Sequence, residues 1–161
     1  MRRVWTISTL AWTAIILAIT LSPQQPTDGG WVRDSLAWLA ERGLPAWVTY
    51  DVIEVAANVV LFIPFGLFLA LALRHRSDRA HRSLSERSPS RSLSERSESK
   101  GFLLLYPTVL ALSLSLTIEF TQATFLPARF ATVSDLIANT AGALLGASLA
   151  VMNVRRRALP R

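Results

Sequence analysis

The stretch RFATVSDLIANTAGALLG, Arg129–Gly146, decides how the chain is to be read. From Val133 it becomes an apolar run that continues to Met152. Asp135 and Asn139 stand four residues apart near its start, and Gly142 and Gly146 follow at spacings of three and four. At 3.6 residues per turn, all four fall on one helical stripe. An apolar helix of about 20 residues is long enough to cross a bilayer core. The question is why such a helix carries a carboxylate and an amide on the face that bears its glycines.

Three further apolar blocks precede it: Val4–Leu21, Val52–Leu73 and Phe102–Phe120. They account for a chain of 161 residues that is 51% hydrophobic, with a mean hydropathy of +0.35. Soluble domains break their apolar residues into short periodic runs instead. The expected fold is an all-α integral membrane protein: a four-helix transmembrane bundle forming a single membrane domain over residues 1–161, with no room for a separate soluble domain. The first block follows Met1-Arg2-Arg3, which raises the alternative of a signal peptide. Its apolar run is long for one, and AITLSPQQP (Ala18–Pro26) has no clean small-x-small cleavage site, so it reads as a retained helix.

The chain has no cysteine, which excludes disulfides, zinc thiolates and cysteine nucleophiles. Its two histidines, His75 and His81, lie in an arginine-rich segment and read as solvated residues. No metal site and no cofactor are expected.

The net charge of +6 matters less than where it sits. Arg2 and Arg3 precede the first block, eight Lys/Arg against four acids fill 74–100, and Arg155, Arg156, Arg157 and Arg161 follow the fourth block. The other two connections hold only Arg33 and Arg42, and Arg129. The positive-inside rule then puts both termini and the middle loop in the cytoplasm. The basic charge is topological, and no nucleic-acid partner is expected. Within the middle loop RSLSERS occurs at Arg82–Ser88 and again at Arg91–Ser97. Serine, arginine and glutamate without aromatics bury too little surface to fold, so 74–100 reads as a disordered basic connector.

In the first outer loop, TDGGWVRDSLAWLAERGLPAWVTYD (Thr27–Asp51) has Asp28 as a capping residue, a helical pattern around Trp31–Arg42, and Gly43 and Pro45 as stop signals. With Trp31, Trp38 and Trp47 at hand, it reads as a short amphipathic helix at the outer lipid interface. The alternative is a loop packed on the bundle through its tryptophans.

The polar residues in and beside the apolar blocks gather at one level. Glu54 and Asn58 share a face of the second, Glu119 and Gln122 a face of the third, Asp135 and Asn139 a face of the fourth, and Arg129 lies in the third connection. Under the expected topology all seven lie near the extracytoplasmic side. Ionisable groups in membrane helices are costly and face the bundle interior. Asp135 and Glu54 sit in the first turns of their helices, where the dipole favours a carboxylate, and Ser134 or Asp135 is a candidate N-cap. Glu119 sits near the opposite, unfavourable helix end and needs a partner, for which Arg129 is the candidate. Asn58 and Asn139 lie beyond capping range, where amides cross-link helices. Pro64 and Gly66, just past the polar pair of the second block, kink that helix and splay its outer half, and Pro107 is placed to do the same in the third. Gly142 and Gly146 allow another backbone to approach closely.

NVVLFIPFG (Asn58–Gly66), IEFTQ (Ile118–Gln122) and RFATVSDLIANTAGALLG (Arg129–Gly146) together resemble the VanZ-like membrane proteins. By position the resemblance marks Asn58, Phe62, Pro64, Gly66, Glu119, Gln122, Arg129, Asp135, Asn139 and Gly142; residues 82–99 have no counterpart in it and look like an insertion. It implies a multi-pass protein of the bacterial cytoplasmic membrane, in a family whose namesake is associated with resistance to teicoplanin-type glycopeptides.

The leading expectation is an outward polar pocket, lined by Glu54, Asn58, Glu119, Gln122, Arg129, Asp135 and Asn139, that binds a cell-envelope amphiphile. The partners expected are membrane lipids, a lipid-linked envelope precursor or a lipoglycopeptide. Arg129 would meet a phosphate or carboxylate; the amides would donate hydrogen bonds. A second reading is an intramembrane enzyme in which Glu54, Glu119 and Asp135 do acid–base work or hold a divalent cation. No catalytic residue is assigned, since no nucleophile–base pair is visible. A third is an accessory subunit whose polar cluster only locks the bundle.

Overall fold

The computed structural model describes residues 2–22, 30–85, 93–126 and 132–157. They form five helices: α1 (Arg2–Thr20), α2 (Trp31–Ala40), α3 (Tyr50–Ser85), α4 (Leu93–Phe125) and α5 (Val133–Arg157). Four of them contain segments long and apolar enough to cross a membrane: Arg3–Thr20, Tyr50–His75, Lys100–Phe125 and Val133–Met152. The four blocks read from hydropathy are these four helices.

The bundle is built around α3 and α5, which share the most extensive contact. They run parallel, since Gly142 lies against Val59 and Gly146 against Ile63, the numbers rising together. The approach is backbone on backbone. A Cβ at Gly142 would stand 2.2 Å from the Val59 carbonyl oxygen, one at Gly146 1.9 Å from that of Ile63, and one at Gly66 2.0 Å from that of Ala143. No side chain fits there. In lipid, where apolar burial gains little, such small-residue contacts let van der Waals packing and backbone proximity hold helices together. The expected close approach at Gly142 and Gly146 is thus found. Gly66, expected to act with Pro64 in a kink, is the third point of the same seam.

The seam continues through Ala70, Ala147 and Ala150. Beside it Ile16, Phe62, Phe65, Ala111, Ile118 and Ala143 make the main core, with Ile16 and Phe62 wholly enclosed. α1 runs antiparallel along α3, with Trp5 and Trp12 both packed on Phe68. The Trp12 indole donates to the Leu61 carbonyl at 2.8 Å, in the turn before Pro64, whose missing N–H disturbs the local helix ladder. α3 and α4 both continue through their prolines, Pro64 and Pro107.

Outward the bundle is greasy: Ile7, Leu10, Val60, Leu105, Leu116, Phe120, Ile137 and Leu149 are all exposed. In water this surface would be an aggregation hazard; in lipid it is the expected coat. The hydroxyls on α4 fit the same solvent. Ser113, Thr117, Thr121 and Thr124 each donate to the carbonyl four residues back, at 3.0, 2.9, 2.7 and 2.8 Å, so none asks the hydrocarbon for a partner.

Two expectations change outside the bundle. α3 and α4 continue past the apolar spans, to Ser85 and from Leu93, so much of 74–100 is helical where a disordered connector was read from composition. Propagating a helix that the membrane span has already nucleated is cheap, even through serine and arginine. α2 matches the helix expected near Trp31–Arg42, but its N-cap position is Gly30, with φ 68° and no side-chain cap; Asp28 lies outside the described residues. At its far end Gly43, at φ 97°, closes the helix, with Leu44 N–H donating to the Leu39 carbonyl and Gly43 N–H to that of Ala40. The Arg42 guanidinium caps this end as well, 3.7 Å above the Trp38 ring and donating to the Trp38 carbonyl at 3.0 Å. α2 makes almost no contact with the four long helices. That weighs against the loop-packed-on-the-bundle alternative.

Candidate functional site

α1 and α4 end where α3 and α5 begin, so the polar residues of four helices arrive at one end of the bundle. Asn58, in the third turn of α3, donates from Nδ2 to Asp135 Oδ1 at 2.5 Å. Asp135 is held from its own helix too. Thr132, just before α5, accepts from the Asp135 N–H at 3.1 Å and donates its hydroxyl proton to Asp135 Oδ2 at 2.7 Å. The cap of α5 is therefore Thr132, and neither Ser134 nor Asp135: an N-cap hydroxyl reaches the free N–H three residues on, which a residue inside the helix cannot do.

α4 and α5 run antiparallel, and their polar residues meet in register. Asn139 Nδ2 donates to Ser115 Oγ at 2.9 Å, fully inside the bundle. One turn further towards the polar end stand Glu119 on α4 and Asp135 on α5. Glu119 is half-buried, accepts a hydrogen bond from the Thr132 backbone and lies within electrostatic reach of the Asp135 carboxylate. Two acceptor atoms are left over in this seam. Glu119 Oε2 and Asn139 Oδ1 are buried and have no hydrogen-bond partner among the described residues. A buried acceptor without a donor costs about 1–3 kcal/mol, more if charged. Among the described residues both such side-chain atoms lie in the α4–α5 seam.

Gln122, also assigned to the site from sequence, goes elsewhere. It is 7% exposed and donates from Nε2 to the Thr20 carbonyl at 2.8 Å, tying α4 to the last turn of α1. Glu54 is exposed on the first turns of α3, and Arg129 lies outside the described residues. The structure thus brings Asn58, Glu119, Asp135 and Asn139 together with Thr132 and Ser115, and sets Gln122 apart on the α1–α4 contact. Among the described residues no three His, Asp or Glu side chains stand close enough to hold a metal ion. An open hollow of about 460 Å³ lies on α2, lined by Asp34, Ser35, Trp38 and Leu39, and none of the polar-end residues lines it.

Three of these partners were missed in the sequence. Thr132 carries a readable signal, a hydroxyl residue three positions before an acidic one. Ser115 sits four residues before Glu119 on the same face, but one serine in an apolar run has too many uses to stand out. The Thr20 partner is a backbone carbonyl, which has no sequence signature.

The arrangement sits in a chain whose residues 5–154 match the family model described as VanZ/LLP1. The chain belongs to the VanZ/LLP1 family. The match covers nearly the whole chain and reaches into all four spans, so the VanZ-like resemblance read from Asn58–Gly66, Ile118–Gln122 and Arg129–Gly146 holds. No curated protein and no solved structure matches the chain.

Proposed function

We propose that this VanZ/LLP1 member binds the head group of a cell-envelope amphiphile at the polar end of its bundle, facing away from the cytoplasm. The single observation behind the reading is Glu119 Oε2, an enclosed oxygen of a half-buried carboxylate that has no donor among the described residues. A group kept at that cost has a use beyond packing. The orientation rests on the basic residues at Arg2 and Arg3, in 74–100 and at Arg155–Arg157, all at the opposite end of the spans, and corresponds to a bacterial cytoplasmic membrane with both termini inside. Arg129, in the connection that leads into α5, supplies a cation for a phosphate or carboxylate. The amphiphile class takes in lipid-linked envelope precursors and lipoglycopeptides, and the family link to teicoplanin-type resistance makes glycopeptide tolerance the phenotype to measure. Arg129→Ala, Glu119→Gln and Asp135→Asn, each checked for membrane abundance, should abolish any tolerance the wild type confers. Full tolerance in all three variants at normal abundance would sink the reading.

A second reading has its own support. Asn58, Gln122 and Asn139 all donate across helix boundaries, as residues of a purely structural accessory subunit would. On that reading Asn58→Ala lowers function only in proportion to membrane abundance, and a plot of one against the other across variants separates the two.

A further inference from the structure

We propose that the acceptors left over in the α4–α5 seam receive a primary ammonium group carried by the head group of the bound amphiphile. The inference rests on the reading of the polar end as a head-group site and specifies its chemistry. Four acceptor atoms on three residues define the seam. Asp135 Oδ1 and Oδ2 already accept from Asn58 and Thr132. Glu119 Oε2 accepts from no described residue. Asn139, 3% exposed, spends Nδ2 on Ser115 and leaves Oδ1 inside the same seam without a donor. Every unmet requirement here is for a donor, and among the described residues no cation pairs with Glu119 or Asp135.

An ammonium answers both needs at once. It brings three N–H donors, no acceptor and a positive charge, and its attraction to two nearby carboxylates strengthens outside bulk water. A quaternary ammonium brings the charge without the donors; a glycerol head group brings donors without the charge. Glu119 and Asp135 stand near the ends of their spans, so a lipid head group would reach them by bending inward.

The test uses the full chain in nanodiscs with three fluorescent lipids: phosphatidylethanolamine, phosphatidylcholine and phosphatidylglycerol. The expected result is retention of phosphatidylethanolamine over phosphatidylcholine by about tenfold, the worth of a charge-assisted hydrogen bond. Glu119→Gln and Asp135→Asn should each erase that preference, Glu119→Asp should keep part of it, and Val109→Ala, outside the site, should keep all of it. Melting temperatures of the same samples guard against misfolding. Competition by free ethanolamine would show that the ammonium alone suffices; its failure beside a clear lipid preference would show that the chains are needed too. Equal binding of the amine and quaternary lipids by wild type, or a preference that survives Glu119→Gln, overturns the inference. Overturning it this way, with phosphatidylglycerol retention still lost in Arg129→Ala, leaves the head-group site standing. Retention of none of the three lipids overturns the ammonium proposal along with the lipid arm of that site.

Discussion

Helix α5 has two seams, and they are built on opposite principles. Towards α3 it presents Gly142, Ala143, Gly146 and Ala147, and backbones approach until no Cβ fits. Towards α4 it presents Asn139, with Asp135 one turn on between Asn58 of α3 and Glu119 of α4, and two enclosed oxygens, Glu119 Oε2 and Asn139 Oδ1, have no donor among the described residues. The α3 seam leaves no space at its glycines, and at its polar end Asn58 donates to Asp135. The α4 seam keeps a deficit at a cost. In a membrane, where apolar burial cannot hold helices together, the first kind of contact supplies cohesion. Cohesion from the first seam is what allows the second to carry groups chosen for something else.

The comparison can be broken from either side, and the largest effect should come from the tight seam. Gly146→Ala would put a methyl 1.9 Å from the Ile63 carbonyl oxygen, so α3 and α5 must move apart; we expect a loss of about 3 kcal/mol, the upper part of the range for overpacking, seen as a large fall in melting temperature in detergent and in membrane abundance. Thr132→Ala removes the α5 cap and the hydroxyl donor to Asp135 Oδ2, with an expected cost of about 1 kcal/mol in the same assay. Asn139→Ala removes one buried cross-helix bond together with the leftover oxygen beside it; the cost should be about 0.6 kcal/mol and not above about 1.7 kcal/mol. Smallest of all, Thr117→Val on the outward face of α4 removes a hydroxyl whose only bond is to its own helix and should leave stability and lipid retention unchanged. If Asn139→Ala proved costlier than Gly146→Ala, the assignment of cohesion to one seam and function to the other would be reversed.

Much of this was open to a reading of the sequence. The four spans follow from block length, and the shared level of Glu54, Asn58, Glu119 and Asp135 follows from helix direction and spacing. Gly142 and Gly146 announced a close approach because only glycine leaves that space. What spacing cannot supply is the partner. That Asn139 finds Ser115 depends on the antiparallel register of α4 and α5, which is set by the full length of both helices and the connection between them. That Gln122 leaves the cluster for Thr20 depends on where α1 ends and how it leans on α4. Helical periodicity locates a residue on its own cylinder but not the cylinder against its neighbour, so it grouped Gln122 with Glu119 when the two serve different contacts. The reach of α3 to Ser85 was hidden for a different reason: composition predicts what a segment does alone, and this one continues a helix already formed.

The central claim is that Glu119 is retained for a ligand more than for holding the bundle. Thermal melting of wild type and Glu119→Gln, in detergent with and without added envelope lipid, puts it to the test. An enclosed carboxylate oxygen without a donor is a cost to the empty protein, while a bound ligand stabilises only the form that binds it. We predict that without lipid Glu119→Gln melts at the wild-type temperature or above, and that added lipid raises the wild type but not the variant. A variant that melts well below wild type without lipid, and gains as much from lipid as the wild type does, would contradict the account.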